Sequence, residues 1–558
     1  MSLPVLQFDH YYKHDEITDF MKALVAECPE LASMESIGTS AEGRDIWCLV
    51  LTNQKTGPAC EKPAMYVDGN IHAGEVTASH VCLYTALYLL QNYATNEEVK
   101  TLLDRRTWYI IPRVNPDGAE LYLTSAYMLR SVTRENPDWE PKIAGALYPE
   151  DLDNDGVVRF MRVKDACGLW KVSDKDARLL IPREPGDFTG DFYSIHLEGL
   201  IHEYDGGQIS AAPDRWHLDT NRNFPNGWQP NQGRNGAFPL SEPETLAMAK
   251  FVHSHPNIGA MQAYHTMSGA ILRPSSTKPD RDLPRQDVES MNALGAIGEK
   301  ITGYPCVAIM EGFLMGSPGA GIFVDWAYDH MGVLGFTTEL WDPKQRGGIT
   351  GKKVFGRSEF NEEHELAKLK LNDEQLDGNG FMNWTAFTHP QLGEVEIGGW
   401  HPKYFAQNPW FTVLEDECHK NAMFSLKHCG ALPDLVVENT KVTHVEGDVY
   451  TITVDIANVG WLPTQVTERG VQLNAVKPIR AEIKGEGLQL VSGKPREEIG
   501  QLEGYRFARE GWYTFGRSNS NRKQRARISW TVRKGSGPVH ITINAPRAGV
   551  KHITLELA

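Results

Sequence analysis

Among the nineteen histidines of this chain, a glutamate follows three residues later only once, in Asp68-Gly-Asn-Ile-His72-Ala-Gly-Glu75. Residues at i and i+3 share one face of a helical turn, so this imidazole and carboxylate can converge on one divalent cation. No His-Glu-x-x-His occurs, which excludes the common helix-borne zinc-protease pattern. Taken alone, the pair is better read as a capping glutamate beside a half-buried histidine. Its company changes that reading. Downstream stand Pro112-Arg-Val-Asn115-Pro-Asp-Gly118, Asp219-Thr-Asn221-Arg222-Asn223-Phe-Pro225, Tyr264-His265-Thr, Asp325-Trp-Ala-Tyr328 and Thr338-Glu339-Leu340. A carboxylate such as Glu339, at the end of an apolar run, is costly to bury without a role.

These residues need elements to position them. A chain of 558 residues exceeds the usual size of one compact domain, so at least two are expected. Residues 8–430 alternate between helix-like segments (Ile17–Ala26, Val76–Tyr93, Leu414–His428) and apolar runs of strand type (Ala64–Asp68, Thr107–Val114, Ile258–Tyr264, Val333–Thr338). That alternation predicts an α/β domain over 1–430 with a mixed, mostly parallel sheet flanked by helices, its ligands at the carboxyl ends of the strands. The tail differs. Tyr450, Ile452, Val454 and Ile456 alternate with polar or small residues, as do Val539, Ile541 and Ile543. Period-two patterning without a convincing helix predicts an all-β sandwich over 433–558.

In their order, the five downstream motifs and the His-Glu turn resemble the zinc carboxypeptidases of the carboxypeptidase A type. The resemblance spans about residues 8–430 and includes Gly43-Arg44. It implies a carboxypeptidase-like fold and one Zn2+ per chain held by His72, Glu75 and His265, with an open position for water. Asp219 matches a carboxylate that orients a ligand histidine, here His72. Glu339 matches the general base, which takes a proton from the attacking water and returns it to the leaving amine. Asn221 and Arg222 match the pair that grips the substrate's terminal carboxylate, and a guanidinium fork suits that task. Arg130, fifteen residues after Asn115, matches the arginine that stabilises the oxyanion; Arg134 is its competitor. The implied substrate is a peptide with a free C-terminus.

Three departures bear on specificity. The stretch 312–321 lacks the mobile tyrosine that family exopeptidases carry shortly before the Asp-Trp segment; Tyr328 follows Asp325 and reads as core. Val324 matches the position that sets side-chain preference, where an apolar residue disfavours a strict basic specificity, although a lone valine is more often core. Gly74 replaces the usual arginine inside the zinc motif. An insertion over about 135–215 is expected to wall or cover the site. Within it, Asp151-Leu-Asp153-Asn-Asp155-Gly156 opens like a calcium loop, but Arg162 stands where an EF-hand needs a bidentate glutamate. An Asx-turn loop and a calcium site of another kind both remain open readings. Two alternatives to the carboxypeptidase follow: an amidase or deacylase on the same scaffold, acting on modified or cell-wall peptides, and a non-catalytic peptide or glycan binder.

Composition narrows the partners. With 41 % hydrophobic and 23 % charged residues the chain is globular, and no run approaches the roughly 18–20 apolar residues that span a bilayer. A net charge of −16 argues against nucleic acid or an anionic membrane as partner. The tail departs from this, with 18 Lys and Arg against 13 Asp and Glu from Pro433 onward. Its basic cluster Arg522-Lys-Gln-Arg525-Ala-Arg527 reads as a solvated strand face. Eight scattered cysteines without C-x-x-C read as free thiols. With no leader or activation segment visible, a cytoplasmic protein with no proteolytic switch is the expectation.

Overall fold

A computed structural model describes residues 3–135, 139, 143–216, 218–230, 234–349, 359–506 and 523–557. Its centre is an eight-stranded mixed sheet in the order Ala32–Thr39, Asp45–Leu51, Thr107–Ile111, Ala64–Gly69, Ile258–Thr266, Leu334–Leu340, Ala270–Arg273 and Cys306–Ala308. The four middle strands, from Thr107–Ile111 to Leu334–Leu340, run parallel. Ala64–Gly69 and Ile258–Thr266 are buried along their whole length, which is why they read as unbroken apolar runs rather than alternating ones. Helix Thr77–Asn92 packs one face of the sheet and is itself covered by helix Phe411–Gly430. Pro243–Ser254 and Phe323–Met331 cover the other face through Met248, Phe251, Phe323 and Trp326. Arg44 closes on Asp117 at 2.7 Å, so the Gly43-Arg44 segment braces the first turn of helix Pro116–Thr124.

The inserted residues form sheets of their own. Ala146–Pro149 pairs with Gly199–Ile201 and Ser210–Ala211. Phe160–Lys164, Trp170–Val172, Leu180–Pro182 and Tyr193–Leu197 belong to a six-stranded sheet. Its other two strands, Phe381–His389 and Gly393–Trp400, come from a hairpin nearly two hundred residues later that stands apart from the α/β alternation expected over 8–430. Arg162, which fills the would-be calcium-ligand position, instead lies against Tyr193 and Trp384 and pairs with Glu396 at 2.7 Å. In the loop itself, Asp151 and Asp153 accept the N–H groups of Asp155 and Gly156 while Asp155 pairs with Arg159, and carboxylate oxygens of Asp151, Asp153 and Glu198 lie within 4.8 Å of one another, so both readings of the loop stand.

The C-terminal domain is two four-stranded antiparallel sheets: Leu435–Glu446, Val449–Asn458, Arg525–Arg533 and Gln489–Ser492, facing Arg496–Gly500, Ile479–Lys484, Val539–Ala545 and Gly549–Leu555. Their inward residues, Ile452, Val454, Ile456, Trp530, Ile541 and Ile543 among them, make one apolar core. The outward Arg525 and Arg527 pair with Glu438 and Asp455, as a solvated face would; Arg522 lies outside the described residues. A short helix, Glu468–Gln472, corrects the helix-free expectation. It forms where the domain docks: Asp287 of the α/β domain accepts the N–H groups of Glu468 and Arg469 at its start. Buried Arg547 donates to the carbonyls of Met331 and Gly332 beside it. All eight cysteines are free thiols. Among the described residues, no helix is long and apolar enough to cross a membrane.

Candidate active site

The site sits at the carboxyl ends of the parallel strands. After Ala64–Gly69 the chain turns at Asn70, whose left-handed backbone (φ 61°) an asparagine tolerates well. The Asn70 amide donates to the carbonyls of His72 and Ala73, and Ala73 and Gly74 donate their N–H groups to the carbonyls of Arg130 and Leu129. Asn408, from the far end of the sequence, accepts from Thr77 N–H and donates to the Gly74 carbonyl, closing the start of helix Thr77–Asn92. These bonds hold His72 and Glu75 on one turn. Strand pairing supplies the rest: His265 and Glu339 are register partners across the parallel strands Ile258–Thr266 and Leu334–Leu340.

The donor atoms of His72, Glu75 and His265 all lie within 4.8 Å of one another. His72 Nδ1 lies 2.8 Å from Glu75 Oε1, His265 Nδ1 lies 2.9 Å from Glu75 Oε2, and the two Nδ1 atoms are 3.1 Å apart. His72 Nε2 faces Asp219 Oδ1 at 2.9 Å, which fixes the proton on Nε2 and leaves the Nδ1 lone pair aimed at its neighbours. Two imidazole nitrogens and a carboxylate, all buried and all turned to one point, are the donor set a zinc ion takes.

Charge is balanced by neighbours. Burial and Arg130 oppose a proton on His72, but Glu75 and Asp219 outweigh them and raise its pKa; burial outweighs Glu75 at His265 and lowers it. Burial works against ionised Glu75 and Asp219, yet the adjacent histidines, with Arg130 at Asp219, hold both carboxyls well below the usual range. Burial and the charge of Glu75 push Glu339 up to about 8, against His72, Arg130 and Arg222. A divalent cation among these groups acts in the opposite sense and favours the ionised carboxylate.

Arg130 donates from Nε and Nη2 to Asp219 Oδ2 (3.2 and 3.0 Å) and its Nη1 is 3.5 Å from Glu75. Arg134 points away and pairs with Glu242 and Glu244. A cavity of about 260 Å³ gathers His72, His265, Glu339, Arg130, Asn221 and Arg222. Asn221 is fixed by Phe323 N–H, which donates to its Oδ1, and Arg222 by the close approach of Gly321 (φ 67°), where an added Cβ would meet the Arg222 backbone at 2.0–2.9 Å. All eight residues proposed from the sequence therefore meet in one place.

Other parts of the site were not foreseen. Leu272, Ile309, Phe313, Leu314 and Ile322 form the apolar wall of the cavity. Val324, expected to set side-chain preference, is fully buried behind that wall in a cluster with Leu272, Ile309 and Ile322, so it acts on the cavity only through them. Tyr328 is core, donating to Asp287 at 2.9 Å. Within 312–321 it is Phe313 and Leu314 that face the cavity. Gly74 has a reason: a Cβ there would lie 2.5 Å from the side-chain amide of Gln407, which fills the space a larger residue would take.

Residues 17–153 and 210–363, just over half of the chain, match the family model described as zinc carboxypeptidase. Residues 434–556 match one described only as a domain of unknown function. Carboxypeptidase A2 of Mus musculus is 35 % identical over 355 residues, 62 % of this chain and 66 % of that protein. Carboxypeptidase B of Astacus astacus is 33 % identical over 130 residues, 23 % of this chain and 41 % of that protein. The chain thus spans less than two thirds of the length of these relatives. A solved thrombin-activatable fibrinolysis inhibitor overlaps 76 % of this chain and 74 % of its own at 18 % identity, with a TM-score of 0.45. On the breadth of the family match, this chain belongs to the zinc carboxypeptidase family.

Proposed function

We propose that the protein is a carboxypeptidase with one zinc ion per chain, hydrolysing the C-terminal peptide bond of peptides. One observation carries the reading: Asn221 and Arg222, the two histidines of the cation donor set and the half-buried carboxylate of Glu339 share one small cavity with an apolar wall. Held by His72, Glu75 and His265, zinc supplies a Lewis acid that acidifies a water and polarises the scissile carbonyl. Arg222 binds the terminal carboxylate while Asn221 lines the same end, so the last side chain falls against Leu272, Ile309 and Ile322. Glu339 accepts the proton of the attacking water and delivers it to the departing amine. Arg130, half-exposed beside Glu75, donates to the oxygen on which charge develops. Asp219 keeps the His72 proton on Nε2 throughout.

The test is a set of matched peptides with free and amidated C-termini, read by mass spectrometry. Cleavage of the free forms, its loss on chelation and its return with zinc are the expected results. Equal cleavage of the amidated forms removes the carboxypeptidase reading. It would then favour an amidase on modified peptides, a reading to which Phe313 and Leu314, in the stretch without a tyrosine, lend support.

A further inference from the structure

Helix Phe323–Met331 connects two distant parts of the molecule. At its amino end, Phe323 N–H holds Asn221 at 2.8 Å and the preceding Gly321 lies against the Arg222 backbone. Val324, one residue on, packs behind the apolar wall of the cavity with Leu272, Ile309 and Ile322. Nine helical residues are about 13 Å long. At the far end of that short rod the β domain docks.

A helix ends in carbonyls that have no partner within it, and here the β domain supplies donors. Arg547 donates from Nη1 to the Gly332 carbonyl at 2.5 Å and from Nη2 to that of Met331. Thr467 Oγ1 donates to the same Gly332 carbonyl at 2.6 Å, and Arg469 Nη2 to that of Asp329 at 3.2 Å. Arg469 also pairs with the Asp329 carboxylate at 3.3 Å. Two guanidinium groups thus face the negative end of the helix dipole, and Arg547 is only 3 % exposed.

The fit has no slack. A Cβ on Gly332 would lie 2.3 Å from the Gly470 Cα, so the two backbones touch. Asp287, in the first turn of helix Arg285–Thr302, ties the same place from the side by accepting the Tyr328 hydroxyl and the N–H groups of Glu468 and Arg469. Apolar contacts would join two domains without desolvating a guanidinium. What a buried fork on two main-chain carbonyls adds is a fixed direction and height for the helix.

We propose that the β domain helps to set the carboxylate grip: Arg547, aided by Arg469, fixes the carboxyl end of helix Phe323–Met331 and so the placement of Phe323 N–H and Gly321, which hold Asn221 and Arg222. Arg547 is then a positioning residue for the substrate's terminal carboxylate, contributed by the domain of unknown function rather than by the residues that match the catalytic family model. The proposal rests on the carboxypeptidase reading and adds a domain requirement to it. The strand after Gly332, which carries Glu339, is paired on both edges and is held independently of this end. A disturbance at Arg547 should therefore reach the carboxylate end and spare the zinc end.

The experiment uses the full chain with zinc, the substrate acetyl-Phe-Leu and two inhibitors. N-acetyl-leucine carries a free carboxylate; acetohydroxamate binds the metal and has none. Arg547→Met should raise KM and the N-acetyl-leucine inhibition constant by about three- to ten-fold, with kcat within about two-fold and acetohydroxamate inhibition unchanged. Arg547→Lys, which keeps a donor, should recover most of the loss, and Arg469→Met should give a change of about two-fold in the same direction. Melting curves report whether each variant is folded at the assay temperature; should Arg547→Met not be, Arg469→Met decides. An unchanged KM in the folded variants, or an equal loss towards both inhibitors, overturns the proposal while the carboxypeptidase reading stands. A wild type that neither cleaves acetyl-Phe-Leu nor is inhibited by N-acetyl-leucine overturns both.

Discussion

The two cavities that meet at Arg130, the candidate active site and a second of about 320 Å³ beyond Glu75, are built in different ways. On the carboxylate side, four polar residues are held by backbone geometry: His265 and Glu339 by parallel register, Asn221 by Phe323 N–H, Arg222 by the approach of Gly321. Half of the residues lining the far side come from the strands that carry Phe160 and Trp400 and from the helical turn Pro402–Gln407, with aromatic packing as the fastener. The contrast teaches a division of labour. Chemistry needs atoms placed to within a fraction of an ångström, which a buried parallel sheet delivers; a wall needs only shape and apolar surface, which an added layer can provide without disturbing the sheet.

The largest expected effect tests that division directly. Glu339→Gln should lower kcat by about 10³–10⁴-fold on every peptide, whatever its side chains, with peptide binding by calorimetry nearly unchanged. A loss confined to some peptides would break the division. Asp219→Asn should weaken zinc binding by about 10–100-fold, read by competition with a chelator, because the amide no longer holds His72 in its Nε2–H form. Arg222→Met should raise KM by roughly ten-fold or more for free peptides and leave amidated ones unaffected, which sharpens the assignment of the carboxylate end.

A separate effect concerns stability rather than turnover. Asp68, on the buried strand leading to the zinc turn, is pushed up to about 8 by burial, only partly offset by the Tyr66 hydroxyl. The folded chain therefore keeps this proton to a higher pH than the unfolded chain, whose aspartate titrates near the ordinary 3.8. Stability from this group is full below that value and is lost as pH rises towards 8. Asp68→Asn should thus gain on wild type across that range, by on the order of 5 kcal/mol at pH 8 and little at pH 4, in melts at both pH values. A constant difference between the two proteins would show that Asp68 is already ionised in the fold.

Legibility followed the same line as the two cavities. Glu339 stands out as a carboxylate at the end of an apolar run, and His72, Glu75, Asp219 and His265 through motifs whose order resembles a known family. Phe160 and Trp400 do not, because an aromatic residue on a strand has the same appearance whether it fills a core or walls a cavity. Val324 shows the converse case: of its two readings, a specificity position or plain core, the helix Phe323–Met331 turns it into the cluster behind Leu272 and Ile322. Gln407 left no signal, since its significance lies in the absence of a side chain at Gly74, more than three hundred residues earlier.

The residues by themselves determined the two fold classes, because periodicity is a local property, whereas the cation donors and the expected proton acceptor were legible only through the resemblance carried by several motifs in order. Tertiary structure alone decided that a hairpin over residues 381–400 would complete the inserted sheet, and that Asn408 and Gln407 would pack against the zinc turn. It also decided that two cavities would meet at Arg130. Those outcomes depend on which surfaces bury each other across hundreds of residues. No short window of sequence encodes that choice, since many apolar strands would satisfy the same local pattern.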